Sequence, residues 1–244
     1  MISTGTFGRL RRLGLRLRGL PRLIALFSYR YDVHLVPDLI ANLRPLVDGY
    51  AAFDDRQADV AFSDETVRRQ KLVQAARSMG GDWVLFIDPD ERLERAARNR
   101  IPELLTTKEP VVFGFRLREM FEPDAYRVDG YWGEKRVYRM FPLLDGQPFE
   151  TRPLHGSHHP VGYRRQRTEI NLYHLKMISR DRRVARRDLY NRLDPDRTFQ
   201  AMGYDYLADD AGAILERVPP GREYRPRHKD DGGLWMPAVA ARDD

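Results

Sequence analysis

Residues 83–91 read Trp83-Val84-Leu85-Phe86-Ile87-Asp88-Pro89-Asp90-Glu91, an uninterrupted apolar run followed at once by three acids around a proline. A short apolar run bounded by polar residues marks a strand buried on both faces, as in a sheet covered by helices on either side. The acids then fall just beyond the strand's carboxyl end, where open α/β sheets hold their ligands. Gly80-Gly81, immediately upstream, stop a helix in the manner of a C-cap. That helix starts near Ser63-Asp64-Glu65, a cap residue and an acidic first turn suited to the positive end of the helix dipole.

Working outward, Leu23-Ile24-Ala25-Leu26-Phe27 is a second apolar run, and Ser28-Tyr29-Arg30-Tyr31-Asp32 is the polar loop after it. Val33 to Leu46 carries Leu35, Leu39, Ile40, Leu43 and Leu46 at helical spacing. Asp48-Gly49 end that helix, and Tyr50 to Phe53 is a strand closing on Asp54 and Asp55. Strand, helix, strand at this spacing is a βαβ unit. Further strands are expected over Val111–Leu117 and Arg136–Phe141, around an aromatic loop with Tyr131 and Trp132. The pattern turns helical from about Ser179 to Leu207 and irregular from Pro219.

The whole chain has 244 residues, 42% apolar and 32% charged, a balance that excludes disordered and fibrous classes. No apolar run approaches the roughly 18 residues of a spanning helix. Cysteine is absent, which removes disulfides, thiol catalysis and cysteine-ligated metals. The net charge is +6, carried almost wholly by arginine, since lysine occurs only five times. Such a balance suits phosphate-bearing partners: a nucleotide, a nucleic acid or an anionic membrane. Residues 1–21 form a basic arm in which Leu10, Leu13, Leu17 and Leu20 alternate with Arg9, Arg11, Arg12, Arg16 and Arg18. Two readings of the arm stay open: a segment loose or docked on the core, and a cationic helix on an anionic membrane surface. Without a long apolar region after it, a secretory leader is not expected, so a cytoplasmic protein is anticipated, with peripheral contact at the inner membrane face as the second reading.

Asp88 and Asp90 carry the chemistry. One carboxylate can accept from sugar hydroxyls while the other holds a hard divalent ion, Mg²⁺ or Mn²⁺, bridged to substrate phosphates. The bland alternative is an acidic turn that merely ends the strand and caps the next helix.

The run from Glu65 through Arg69 and Ala75 to Gly81-Asp82-Trp83…Asp88-Pro89-Asp90-Glu91-Arg92-Leu93-Glu94 resembles the D-x-D region of glycosyltransferase family 2, whose members have the GT-A fold. The similarity covers roughly residues 22–178 and is specific around 65–94. It implies an α/β, GT-A-like three-layer sandwich with a mostly parallel central sheet and a C-terminal helical extension. The divisions are then the arm at 1–21, a catalytic domain at 22–178, and a helical extension with irregular tail at 179–244. It also implies transfer of a sugar from a nucleotide-diphosphate donor to a glycan, lipid-linked or other hydroxyl acceptor, with inversion. Asp90 would ligate the cation, with Asp88 near the metal or the donor ribose. Asp54 or Asp55 would read the base or ribose, and Ser28, Tyr29 and Arg69 would line the nucleotide site. Relatives follow the second-strand acid with a Ser-x-Asp turn, where this chain has Asp55-Arg56-Gln57-Ala58-Asp59.

Relatives also carry an aromatic and arginine segment and then a His-Glu pair on the acceptor side. Arg139-Met140-Phe141 and Leu154-His155 match the first parts, but Gly156 stands where the Glu would be. A general base must take the acceptor proton, and the two candidates are Glu134 in Gly130-Tyr131-Trp132-Gly133-Glu134 and His155. His155, His158, His159 and His174 cluster within a short stretch. His174 is read either as a late metal or pyrophosphate contact or as a structural histidine. A zinc hydrolase lacks support, because no Glu completes an HExxH helix. Arg180, Arg182, Arg183, Arg186 and Arg187 form either a solvated helix face or a contact to a phosphate-bearing acceptor or lipid carrier. Two other classes are carried alongside: a catalytically degenerate GT-A-like nucleotide-binding protein, and a basic RNA-binding protein, which leaves the D-x-D-E unexplained and makes nucleic acid the weaker partner.

Overall fold

A computed structural model describes residues 1–7, 19–57, 65–150 and 157–229. In chain order the elements are β1 (Ile2–Thr6), β2 (Leu23–Tyr29), α1 (Val36–Leu43), β3 (Gly49–Asp54), α2 (Glu65–Ser78), β4 (Trp83–Phe86), β5 (Glu91–Leu93) and α3 (Ala97–Leu104). They continue with β6 (Val111–Glu122), β7 (Ala125–Arg127), α4 (Tyr131–Glu134), β8 (Arg136–Pro142), β9 (Arg164–His174), α5 (Arg180–Leu193) and β10 (Leu215–Arg217). The strands form one sheet in the order β1-β3-β2-β4-β8-β6-β7-β10, with β9 also beside β6 and β5 beside β9.

The βαβ unit expected around residues 23–54 is present: β2 lies between β3 and β4, parallel to both. β2 is buried along its first five residues and β4 throughout, as their unbroken apolar runs require. α1 opens with Pro37 in its first turn, where the missing N–H costs nothing. Its Leu39 and Leu43 pack with Ala97 and Ile101 of α3 on one face of the sheet. On the other face, Leu72, Val73 and Ala76 of α2 pack on Ile24, Leu26, Val84 and Phe86. Gly80 follows α2 with φ 68°, the left-handed conformation that closes a helix. A Cβ on Gly81 would come within 2.8 Å of Ile24, so the chain needs glycine to pass this close to β2.

The expectation of a mostly parallel central sheet is corrected by the pairing. β1–β3, β4–β8, β6–β8, β6–β7, β7–β10 and β5–β9 are all antiparallel. Among the described residues only β2–β3, β2–β4 and β6–β9 are parallel. A parallel pair needs a crossover of a dozen or more residues, usually a helix, whereas antiparallel neighbours accept short connections. The link from β6 to β8 contains only the small strand β7 and the four-residue α4, so β8 returns antiparallel. The sheet is therefore mixed, with β4 at the boundary between its parallel part and its antiparallel part.

The C-terminal helix is also shorter than the pattern suggested. α5 stops at Leu193, and Asp194, which precedes Pro195, has left the helical region at φ −136° and ψ 59°. The chain beyond it returns to the sheet through β10, through an ion pair of Arg222 with Glu94 at 2.6 Å, and through a bridge between Tyr224 and Glu94. The buried Asn42 side chain fastens α1 to this region. Its Nδ2 donates to Leu93 O (3.0 Å) and Arg225 O (2.8 Å), and its Oδ1 accepts from Leu93 N (2.9 Å). Of the arm, Ile2–Thr6 forms an edge strand on β3, and residues 8–18 lie outside the described residues. Among the described residues no helix is long and apolar enough to cross a membrane.

Candidate functional site

The carboxyl ends of β2, β3 and β4 are in register. Tyr29 sits opposite Asp54, and Leu26 opposite Phe86. The chain holds this alignment past the strands, since Asp55 N donates to Tyr29 O and Ile87 N to Leu26 O, each at 3.0 Å. All three strands therefore deliver their terminal residues to one edge, where a cleft of about 420 Å³ opens.

The acidic turn forms the floor of that cleft. Asp88 N donates to Glu91 Oε2 at 2.8 Å, and Glu91 N donates back to Asp88 O at 2.9 Å, so the turn is closed on itself. Arg139 of β8 donates from Nη2 to Asp88 Oδ2 and to Glu91 Oε1, both at 3.1 Å. Its Nη1 is buried with no hydrogen-bond partner among the described residues. Enclosure pushes the Asp88 carboxyl up, but Arg139 and then His158 outweigh it and hold Asp88 below the usual range. Burial dominates at Glu91 and lifts it to about 7 despite Arg139. The two acids thus share one guanidinium, and Asp88 is the better placed to carry the negative charge.

Asp90 turns the other way. His174 Nε2 at the end of β9 lies 3.3 Å from Asp90 Oδ2, and its Nδ1 lies 2.9 Å from Glu119 Oε2. Leu175 N donates to Asp90 O at 2.8 Å, fixing the turn against the start of the next segment. Lys135 Nζ donates to Glu119 Oε1 at 2.8 Å and lies 4.4 Å from the Trp132 ring centroid. Burial opposes ionisation in this cluster, yet His174, followed by Lys176, holds Asp90 well below the usual carboxylate range. Burial and Lys176 work against the His174 imidazolium, and Glu119 and Asp90 overcome them to raise its pKa. Lys176 and Arg186 also line the cleft. Burial, then Arg186, lowers Lys176 to about 8.

On the opposite side of the turn, Arg69 pairs with Glu65 at 2.7 Å and Arg68 with Asp55 at 3.2 Å. Arg30 Nη1 donates to Asp55 O at 2.8 Å. Asp32 lines the cleft with no cation at ion-pair distance among the described residues; burial, then Asp90, raises it to about 7.

Of the residues singled out in the sequence, Ser28, Tyr29, Asp55, Arg69, Asp88, Asp90 and His174 all line this cleft. Asp54 is outside its lining, tied to Arg56 at 2.7 Å. Glu134 is exposed on α4 and also outside the lining, although its neighbours Tyr131 and Lys135 belong to it. His155 lies outside the described residues, as do Ser63, Asp64 and Asp59. Glu119, Lys135 and Lys176 were not foreseen. Their signal was weak: Lys176 is a lone charge among apolar residues, which sequence periodicity treats as an interruption, and Glu119 and Lys135 each stand beside other charges that give neither a distinguishing context.

A cation site is only partly assembled. Two carboxylates of depressed basicity suit a hard ion. However, the Asp88 side chain is turned to Arg139 and Asp90 is spanned by His174. No group of three or more metal-ligating side chains is arranged to hold an ion among the described residues.

No protein-family model matches the chain, and no curated protein matches it. Among solved structures, the chain is similar to one described as the crystal structure of a glycosyltransferase involved in the glycosylation of the major capsid of PBCV-1. The identity is 13%, the match covers 40% of this chain and 52% of that one, and the TM-score is 0.28. The similarity spans about half the length of that protein.

Proposed function

We propose that this protein is a glycosyltransferase that takes a sugar from a nucleotide-diphosphate donor and passes it, with inversion, to a hydroxyl acceptor. The observation that carries this reading is the placement of Asp88-Pro89-Asp90-Glu91 at the end of the third parallel strand, in one cleft with the strand-end residues Ser28, Tyr29 and Asp55. The resemblance of residues 65–94 to glycosyltransferase family 2 supports it.

In this reading Tyr29 and Asp55 meet the nucleoside. Arg139, which lines the cleft, keeps Asp88 ionised and oriented. Asp88 and Asp90 would hold a divalent cation, Mg²⁺ or Mn²⁺, whose charge neutralises the leaving diphosphate. Asp90 and Asp88 are poor proton acceptors because the surrounding cations depress their basicity. The acceptor proton must therefore go elsewhere. The exposure of Glu134 away from the cleft favours one second reading, a protein that binds the nucleotide without transferring sugar.

A thermal-shift panel of nucleoside diphosphates and nucleotide sugars, with and without Mn²⁺, tests the reading. A ligand at about 100 times its dissociation constant stabilises by about 2.7 kcal/mol. Asp90→Asn should keep the fold and abolish the Mn²⁺-dependent shift. An unchanged shift in the variant removes the assignment, and sugar turnover separates transfer from binding alone.

A further inference from the structure

Most acids of the cleft have a cation at ion-pair distance, whereas Lys176 and Arg186 act on Asp90 and Glu119 only at longer range, and Arg30 on the nucleotide side likewise has no ion pair among the described residues. Asp55 and Glu65 are matched by Arg68 and Arg69, Asp88 and Glu91 by Arg139, Asp90 by His174, and Glu119 by Lys135 and His174. Lys176 and Arg186 line the same cleft with no carboxylate at ion-pair distance among the described residues. Arg186 donates to Tyr190 OH at 2.9 Å, which orients the guanidinium without neutralising it. Three other arginines of the α5 run are differently placed. Arg180 and Arg183 pair with Asp210, and Arg187 with Asp188.

The position of the pair identifies what it faces. Nucleotide-side residues arrive from β2, β3 and α2. Lys176 and Arg186 arrive from the turn after β9 and from α5, and β9 lies two strands beyond β8 on the antiparallel side of β4. The same side presents Tyr131, 60% exposed at the cleft and linked through Lys135 (4.9 Å to its ring centroid) to Glu119 and His174. An exposed ring in one cleft with two cations that lack a direct ion pair suits a sugar that carries a negative charge: the ring takes the sugar face, and the cations take the anion.

We propose that the acceptor is anionic, bearing a phosphoryl or carboxylate group that Lys176 and Arg186 hold. The inference rests on the transferase reading and extends it to the chemical class of the acceptor.

The test is titration of glucose 6-phosphate, glucuronate and glucose into the full chain, with and without saturating nucleoside diphosphate and Mn²⁺. Binding is read by calorimetry or ligand-observed NMR. Glucose 6-phosphate or glucuronate, whichever matches the acceptor's anion, should bind alongside the nucleotide, and glucose should bind far more weakly. Lys176→Met with Arg186→Met should weaken the anionic sugar by roughly 10–100-fold and leave nucleoside diphosphate affinity near the parent's. Lys176→Arg, which keeps the charge, should retain binding and shows that any loss is not misfolding. Absence of binding by both anionic sugars, or undiminished binding in the double variant, overturns the proposal. So does a double variant that loses nucleoside diphosphate instead, since the cations would then belong to the donor. If the parent binds the anionic sugar through these residues but no nucleoside diphosphate, the anion site stands and the transferase reading falls.

Discussion

The imidazole of His174 bridges the acidic turn to a second buried acid, with Nε2 3.3 Å from Asp90 Oδ2. This contact ties the residue most important to the proposed donor site to the end of β9, a strand far along the chain. It also supplies positive charge to two buried carboxylates, Asp90 and Glu119.

His174→Ala therefore leaves Asp90 and Glu119 without their shared partner. Removing one member of a buried charged pair typically costs about 3–5 kcal/mol. Urea denaturation of the variant should show a loss of that order, and the Mn²⁺-dependent response to nucleoside diphosphate should fall with it. An unchanged midpoint would show that the bridge contributes nothing to the fold.

Asn42→Ala tests the attachment of α1 to β5 and the C-terminal segment. The substitution removes three hydrogen bonds to backbone groups, two of them fully buried. Stranded buried donors and acceptors cost about 1–3 kcal/mol each, partly relieved by water, so a net loss of about 2–4 kcal/mol is expected in urea melts. Proteolysis should become faster near residues 222–225, whose carbonyl anchor is lost.

The pH dependence of stability carries the mark of Asp32, raised to about 7 by burial, with Asp90 adding to it. Between the ordinary aspartate value and about 7 the folded chain holds a proton here that the unfolded chain has released. Stability therefore falls as pH rises through that window. Asp32→Asn should be more stable than the parent at pH 8 and nearly equal at pH 4. Each tenfold difference in proton affinity is about 1.4 kcal/mol, or roughly 3–6 °C in Tm for a chain of this size. Parallel melting curves for the two proteins across this range would exclude the effect.

Glu134→Gln separates the sequence-based candidate base from the cleft. The side chain is exposed, so the stability change should stay within about 0.5 kcal/mol. With a donor identified, its turnover should remain near the parent's. A fall of roughly 10²–10⁴ in turnover with normal donor binding would instead make Glu134 the base.

The parallel part of the fold was legible because its strands are largely apolar and α2 is stopped by Gly80, although α1, expected over Val33–Leu46 and ended by Asp48-Gly49, stops already at Leu43. Trp83–Phe86, Leu23–Tyr29 and the end of α2 fell close to their expected bounds. β9 was not legible. Its first half, Arg164-Arg165-Gln166-Arg167, is largely exposed, and only Ile170 onward is continuously buried, so neither alternation nor an unbroken apolar run announces it. β1 was hidden for a similar reason, since an edge strand reading Ile2-Ser3-Thr4-Gly5-Thr6 has little to bury. The strand-end acids could be read directly, because a carboxylate after an apolar run is conspicuous. The cations that answer them come from distant segments, and only the pairing of β6, β8 and β9 brings those together.

The mixed pairing around β4 bears on how such a molecule can diverge. Toward β2 and β3, connections are helical crossovers whose helices are built into the two cores, so a change of length there disturbs packing. Toward β8 and β6, the connection runs out through Pro123-Asp124 and back through α4 at the cleft's edge. Doubling the length of a flexible loop adds only about 0.6 kcal/mol of closure entropy. Insertions beside α4 can therefore reshape one rim of the cleft while the other keeps its geometry, leaving the two ends of the binding site free to evolve at different rates.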